Sequence, residues 1–275
     1  MTRRNSENRL LLTLIAPAAA VFTGFWLLPM ARLAGTAASG PLGFGAYAAI
    51  LTNPRYFRSL VATLLLSAAV TAAALVISGA AGLFLARNRF AGRSLLLAML
   101  TFPLAFPGVV VGFMVIMLAG RQGLVGDIVF RLSGSRLVFA YSMAGLFLGY
   151  LYFSIPRMIL TVMAAAETLD RSLEEAARSL GAGRWRVLRD VIIPGLSPAL
   201  ISSGAICFAT AMGAFGTAFT LATAIDVLPM TIYTEFTLAA NVAMAASLSL
   251  VLGLITWLVL ALARSAAGAG VAAAA

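Results

Sequence analysis

The chain has 275 residues, of which 62% are hydrophobic and only 10% are charged, and its mean hydropathy is +1.02. A soluble domain carries about a quarter charged residues, so this composition excludes an ordinary water-soluble protein and predicts one that resides in a bilayer. The net charge of +10 comes from 19 arginines against nine acidic residues. These arginines lie between apolar segments, where positive charge sets membrane orientation, so nucleic acid is not a predicted partner.

Two features of the residue usage exclude most chemistry. Histidine is absent, which removes the commonest general base and metal ligand. The single cysteine, Cys207, has no thiol partner in the chain for a disulfide or a metal cluster. Membrane hydrolases that use Ser with His, or paired Asp within the membrane, lack their residues here. We therefore predict no catalytic residues, no metal site and no enzyme activity.

Six uncharged stretches are long enough to cross a bilayer, which takes about 20 apolar residues. They cover residues 10–31, 60–86, 94–118, 138–156, 197–222 and 238–263. The first stretch exceeds the apolar core of a cleavable signal peptide, the alternative at this position. The sequence predicts an all-α membrane protein with six transmembrane helices.

The distribution of arginine predicts the orientation. Six crossings place both termini on one side, and the side richer in arginine is cytoplasmic. The terminal side is predicted to hold Arg3, Arg4, Arg9, Arg87, Arg89, Arg93, Arg157, Arg171, Arg178, Arg184, Arg186, Arg189 and Arg264. The opposite side is predicted to hold Arg32, Arg55, Arg58, Arg121, Arg131 and Arg136. Both termini are therefore predicted to be cytoplasmic.

The third stretch carries Pro103 and Pro107, followed by Gly108 and Gly112 in G-x-x-x-G spacing. The prolines are expected to kink this helix, and the glycines to let another backbone approach closely. The kink and the close approach would each serve either helix packing or a translocation path.

The fifth stretch is dense in small and hydroxyl residues, and Thr210, Gly213 and Thr217 recur at helical spacing. Such a face indicates either tight helix packing or a polar path through the membrane. Beyond this stretch, Asp226 and Glu235 are expected on an outer loop, either as solvated acids or as contacts for a binding protein.

The longest predicted cytoplasmic loop begins at Glu167. Ser172 and Glu175 stand three apart, matching a capping box, and predict a helix over 173–180. Gly181 follows where a left-handed residue ends a helix. A second helical segment is expected over 184–190.

Pro194 and Pro198 are expected to break the chain before the fifth membrane helix. The loop is therefore predicted to form a helix-turn-helix elbow beneath the membrane.

The energy source is predicted to lie outside this chain. Ion-driven transporters carry titratable groups within their membrane helices, whereas all nine acidic residues here fall in the predicted tail or loops. No G-x-x-x-x-G-K-[ST] phosphate loop is present either, and the nearest Gly-rich string, at 181–184, lacks the lysine and hydroxyl. We predict no cofactor in this chain, with ATP bound by a partner subunit.

One motif resembles a known family. Glu175-Ala176-Ala177, three residues, Gly181, nine residues, Val191, one residue and Ile193-Pro194 resemble the EAA loop of permeases of binding-protein-dependent ABC importers. Val191 and Ile193 replace the usual Ile and Leu, which keeps both positions apolar. Ser-Ile-Pro-Arg at 154–157 is also similar to that family.

The resemblance implies a type I importer permease in the bacterial inner membrane, whose third and fifth helices line a path at a permease dimer interface. It implies that a coupling helix docks on an ATPase through Glu175, Ala176, Ala177, Gly181, Trp185 and Pro194. With those two helices lining the path, the residues singled out on them, Pro103, Pro107, Thr210, Gly213 and Thr217, are its candidate lining residues. The implied partners are ATPase subunits, a second permease of identical or different sequence, and an extracytoplasmic solute-binding protein.

The substrate prediction rests on residues 227–236. This segment resembles permeases for polyamine, ferric iron, thiamine, sulfate and phosphonate. Among these, polyamine or ferric iron is the favoured prediction. The alternatives to a permease are an ion-coupled secondary transporter or channel and a structural membrane subunit. The predicted regions are 1–57, a permease core over 58–263 with the loop at 167–195, and a disordered tail over 264–275.

Overall fold

The computed structural model describes residues 13–221 and 225–268, and within those ranges the chain forms twelve α-helices and no strand. The helices are α1 Thr13–Ala38, α2 Gly45–Thr52, α3 Pro54–Arg87, α4 Arg93–Thr101, α5 Gly108–Ala119, α6 Leu124–Ser133, α7 Met143–Thr168, α8 Arg171–Ser179, α9 Arg184–Met212, α10 Phe215–Leu221, α11 Leu228–Thr237 and α12 Val242–Ala267. Helices α1 and α9 each contain a π-helical turn, at Thr23–Leu27 and Leu188–Ile192.

Six helical segments are long and apolar enough to cross a membrane: α1, α3, α5 with α6, α7, α9 and α12. This confirms the predicted all-α fold with six transmembrane helices. Helix α12 runs to Ala267, so the described part of the predicted tail starts as helix. Arg3, Arg4, Arg9 and residues 269–275 lie outside the described ranges.

The third apolar stretch differs from its prediction, because the prolines end a helix rather than kink it. Helix α4 stops at Thr101, a 3₁₀ turn covers Phe102–Ala105, and Phe106 and Pro107 are extended, with ψ angles of 130° and 149°. A residue before proline is driven out of the helical region by the proline ring. Pro107 then caps α5, where its carbonyl accepts the amide of Val111 at 3.2 Å.

The chain divides into two compact units, which are residues 13–54 with 232–251, and residues 55–231 with 252–268. In the first unit, Gly40 approaches α12 so closely that a Cβ there would lie 2.5 Å from Ala243 Cβ. Asn241 caps α12 by accepting the amide of Met244 at 3.2 Å. Glu235 is buried, so the expectation of a solvated acid on an outer loop is wrong for this residue, whereas Asp226 is exposed.

The core of the second unit forms around α7, whose side chains Leu146, Tyr150 and Val162 are almost fully buried. Hydroxyl groups link its helices across the apolar interior. Ser59 and Thr231 share a hydrogen bond of 2.7 Å, and Ser78 donates to the Ile155 carbonyl at 3.1 Å. Such bonds satisfy polar groups that would find no hydrogen-bond partner in lipid.

Helices α5 and α10 pack at backbone distance, as the G-x-x-x-G spacing predicts. A Cβ on Gly112 would lie 2.6 Å from Thr220 Cβ, and one on Gly216 would lie 3.0 Å from the Val109 amide nitrogen. Close approach lets Thr217 donate to the Gly108 carbonyl at 3.0 Å. The glycines therefore hold α10 against α5.

Replacing Gly112 with alanine is expected to destabilise the protein by about 1–3 kcal/mol, because the new methyl group overlaps Thr220. The matched control is Gly79→Ala on α3, where a Cβ meets nothing within 4 Å and alanine favours the helix. Thermal unfolding of both variants in detergent measures the difference. Equal melting temperatures would show that α10 is not held by this contact.

Candidate coupling loop and translocation cavities

The start of α8 is set by a different residue from the one predicted. Asp170, not Ser172, is the N-cap, and its carboxylate accepts the Ser172 amide at 2.9 Å. The predicted capping box of Ser172 and Glu175 is therefore wrong, and the N-cap lies two positions before the predicted one. Aspartate serves as well as serine in this role. The backbone and side-chain hydrogen bonds from Ser172 hold the pKa of the Asp170 carboxyl below its usual value.

The end of α8 confirms the prediction for Gly181, whose φ is +84°. The Gly181 amide donates to the Arg178 carbonyl at 2.9 Å, and the Ala182 amide to the Ala177 carbonyl at 3.0 Å. This pair of bonds is the Schellman motif, which favours glycine at the left-handed position. The turn after α8 is therefore fixed by backbone geometry.

The inner face of α8 carries a charge that the sequence alone did not single out. Glu174 is buried and forms an ion pair with Arg87 at the end of α3. Arg178, one turn further along α8, lies 3.8 Å from the same carboxylate. The signal was available in the two adjacent glutamates, but only the fold shows which of them turns inward.

A second ion pair braces the same region. Arg93, at the start of α4, donates to Glu167 near the end of α7 at 2.9 Å and to the Leu85 carbonyl of α3 at 3.0 Å. Arg87 and Arg93 were predicted only as orientation charges. In the structure they also join α3, α4, α7 and α8 at one end of the helices.

An apolar cluster completes the inner face of the loop. Val162 and Ala166 of α7 pack with Val187, Ile192 and Leu196 of α9. Ala177 of the EAA segment packs against this cluster and is half-buried. Ala177 therefore faces the membrane helices.

The outer face of α8 and its following turn is exposed. Glu175 and Ala176 are exposed, and the large side chains Leu173, Leu180 and Trp185 are 55%, 88% and 73% exposed. Exposed apolar side chains that cluster mark an interaction surface. The structure therefore separates the predicted coupling residues, with Glu175, Ala176 and Trp185 outward and Ala177 inward.

Pro194 and Pro198 do not break the chain, and that prediction is wrong. Helix α9 is continuous from Arg184 to Met212. The π turn Leu188–Ile192 shifts the hydrogen-bond register just before Pro194, and Ser197 donates its hydroxyl to the Pro194 carbonyl at 2.8 Å. These adjustments satisfy groups that proline leaves unpaired, so the elbow runs rigidly into the membrane helix.

A cavity of about 320 Å³ gathers four of the five predicted path residues, Pro103, Thr210, Gly213 and Thr217. Pro107 is not among its lining residues. The break after Met212 forms part of the wall, and the Tyr150 hydroxyl donates to the Ala214 carbonyl at 2.6 Å, fixing this irregular backbone. Non-helical backbone at membrane depth occurs where it lines a cavity or is buried in protein.

A larger cavity of about 850 Å³ runs between α7 and α9. Its lining extends from Phe153 and Thr210 to Leu169 and Asp170 beside the coupling loop. Three residues, Phe153, Arg157 and Thr210, line both cavities. The two cavities therefore adjoin at these side chains.

Arg157 lies within α7, fourteen residues after its first residue, Met143. Its predicted position after the end of the fourth membrane-spanning stretch is therefore wrong, because it lies inside a helix of membrane-spanning length. The apolar stretch ends at residue 156, but the helix continues to Thr168, so the end of the stretch is not the end of the helix. No acidic residue of the described ranges forms an ion pair with Arg157.

The sequence matches, over residues 78–269, the model of a family described as the inner membrane component of binding-protein-dependent transport systems. The chain belongs to this family. Its membership confirms the predicted resemblance and places the protein in the inner membrane as a multi-pass transport component.

Several relatives are similar over most of the permease core. The molybdenum transport system permease protein ModB of Escherichia coli (strain K12) is 37% identical over 62% of this chain and 73% of its own. The sulfate transport system permease protein CysT of the same strain is 34% identical over 69% and 67%. A putative 2-aminoethylphosphonate transport system permease protein, PhnU of Salmonella typhi, is 29% identical over 88% and 84%.

Solved structures agree on the fold. A chain of a bacterial alginate ABC transporter, in complex with an alginate pentasaccharide-bound periplasmic protein, superposes with a TM-score of 0.79 over 96% of both chains at 17% identity. A second structure of a bacterial ABC transporter for alginate import gives 0.77. The chain therefore has the fold of an ABC importer permease.

Removing Glu174 is expected to destabilise the protein by about 3 kcal/mol, because Arg87 keeps its charge in a largely buried site. Glu175→Ala is the matched control and is expected to change stability by no more than about 0.5 kcal/mol, since its side chain is exposed. Thermal unfolding of Glu174→Ala and the control in detergent measures both effects. The double variant Arg87→Met/Glu174→Leu is expected to recover most of the loss, and equal stability of the two single variants would contradict the buried pair.

Proposed function

We propose that this permease forms, with a second permease, the transmembrane path of an ABC importer for a small oxyanion, and that it receives mechanical work from a separate ATPase through α8. The observation that supports this most directly is the exposed outer face of α8, on a loop whose inner face is fixed to the membrane helices. A solute-binding protein outside the membrane would deliver the solute, as the family description implies.

The coupling step follows from the two faces of the loop. The outer face presents several kinds of group to a partner. They are the carboxylate of Glu175, the small side chain of Ala176 and the large apolar side chains of Leu180 and Trp185. A force on that face reaches α3 through the Glu174–Arg87 pair and α9 through the continuous helix. ATP would be bound by the partner subunit, since this chain carries no phosphate loop.

The proposed substrate class comes from the relatives. Molybdate and sulfate are compact oxyanions, and 2-aminoethylphosphonate carries an anionic phosphonate group. None of the three relatives above has polyamine or iron in its name. The initial preference for polyamine or ferric iron is therefore replaced by an oxyanion.

The Gly181→Val substitution is expected to abolish ATP-driven uptake without preventing membrane insertion. Valine is strained at a φ of +84°, so the turn after α8 would rearrange. Gly183→Val is the matched control two residues on, because Gly183 has a φ of −69° and open space at its Cβ. Uptake by vesicles holding the complete transporter is the measurement, and normal uptake by the Gly181 variant would contradict the coupling model.

The Trp185→Ala substitution is expected to weaken ATPase binding about tenfold or more, since buried aromatic anchors dominate interfaces. Trp257 on α12 is 58% exposed and lies far along the chain from the loop, so Trp257→Ala serves as the control. The affinity of purified permease in detergent for its ATPase gives the comparison. Equal affinities for both variants would remove Trp185 from the interface.

The proposed function itself is tested with the complete transporter in vesicles. Uptake of molybdate, sulfate or 2-aminoethylphosphonate is expected only with ATP, the ATPase and the loaded binding protein. Transport by the permease alone, driven by an ion gradient, would favour the secondary transporter or channel instead.

A further inference from the structure

We propose that Arg157 contacts the anionic solute during its passage and that the point where the two cavities adjoin is an anion site within the membrane. This inference rests on the proposed function, because it concerns how that path accepts an oxyanion.

Arg157 lies near the middle of α7. It lies fourteen residues after the start of α7 and eleven before its end, which at 1.5 Å per residue is about 21 Å and about 16 Å along the axis. A helix that crosses a hydrocarbon core of about 30 Å places such a residue well inside the bilayer. Ionisable residues at that depth face cavities or partners and mark ion and substrate routes.

The side chain of Arg157 lies where the two cavities adjoin. Its side chain lines both cavities and is exposed in the isolated chain. No carboxylate among the described residues pairs with it, whereas Arg87 and Arg93 both have glutamate partners. Unlike Arg87 and Arg93, Arg157 therefore has its charge available to a mobile anion.

A buried serine hydroxyl lies near Arg157 on α7. Ser154 lies one helical turn before Arg157, lines the larger cavity and is 4% exposed. Its hydroxyl has no hydrogen-bond partner among the residues that the structure describes. A buried polar group without a partner calls for an explanation, and an anion held by Arg157 would supply an acceptor to that hydroxyl.

The lining of the two cavities is ordered along the proposed direction of import. The smaller cavity lies among the broken segments after α4 and α9, while the larger one continues to Leu169 and Asp170 at the coupling loop. Asp170 is the acidic residue lining the larger cavity, thirteen positions from Arg157. An anion would therefore meet the guanidinium first and leave towards the loop, past a negative charge that disfavours its retention.

Guanidinium suits this role, because its planar fork binds oxyanions through two parallel hydrogen bonds. Lysine would keep the charge and lose the fork. Replacing Arg157 with glutamine removes the charge, whereas replacing it with lysine keeps the charge, so the two substitutions separate the effect of charge from that of geometry.

The test uses the complete transporter in vesicles and the Arg157→Gln variant. Loss of a charge-assisted contact is expected to lower oxyanion uptake about tenfold, while ATP hydrolysis stimulated by the loaded binding protein stays within about twofold of the wild type. Arg89→Gln removes an exposed arginine outside both cavities and is expected to leave uptake unchanged. Wild-type uptake by Arg157→Gln would overturn the inference, as would a loss of uptake matched by an equal loss of stimulated hydrolysis.

A lipid phosphate is the other source of an oxyanion, and lipid composition distinguishes it. If Arg157 serves the solute, the defect of Arg157→Gln is the same in vesicles of neutral and of anionic phospholipid. A defect that changes with the anionic lipid fraction would assign the arginine to headgroups and overturn the inference.

Arg157→Lys covers the case in which the glutamine variant does not assemble. It is expected to change the ratio of molybdate to sulfate uptake by at least about threefold, because the fork is lost. An unchanged ratio would overturn the inference. Failure of the wild-type transporter to move any of the oxyanions would instead refute the proposed function.

Discussion

The ion pair between Glu174 and Arg87 is the contact that fixes α8 to the end of α3. It joins a short exposed helix to the end of the 34-residue helix α3, in a place where both side chains are largely buried. A buried charge that loses its partner is strongly destabilising, so the pair keeps the inner face of α8 against the helices. That leaves the opposite face free for a partner. The Schellman turn at Gly181 and the continuous helix α9 extend the same rigidity along the chain.

Inside the membrane, the limiting constraint is the satisfaction of backbone polar groups without water. The chain interrupts its helices near Pro107 and after Met212, and both interruptions line the smaller cavity or pack against it. Glycines at 108, 112 and 216 let these segments approach, and threonine and tyrosine hydroxyls bond the freed carbonyls. Irregular backbone and small residues thus occur together. The freed carbonyls need a nearby hydroxyl donor, and the glycines let the segments come close enough to supply one. The result is a cavity wall in which the Gly108 and Ala214 carbonyls are hydrogen-bonded by side-chain hydroxyls.

Much of this architecture is predictable from the sequence, because hydrophobic length determines membrane helices and glycine determines the turn after α8. The spacing of the EAA segment indicates the family, and four of the five proposed path residues line one cavity. The errors have physical causes. Periodicity does not reveal which of two adjacent glutamates faces inward, and local pattern favours Ser172 over Asp170 as a cap. The position of Arg157 was missed because a charge ends an apolar stretch without ending the helix. Pro194 was misjudged because a π turn and a serine hydroxyl accommodate the prolines.

The central claim is that α8 moves as one body with the membrane helices, so that work done on its outer face reaches the path. Cross-linking tests this most directly. Cysteines placed at positions 87 and 174, with Cys207 replaced by serine as the reference background, can be joined by a short bifunctional thiol reagent in the assembled transporter. The account predicts that the cross-linked transporter takes up solute with ATP as fast as the uncross-linked one. Uptake that stops on cross-linking, while ATP hydrolysis continues, would show that α8 must separate from α3 and would contradict the account.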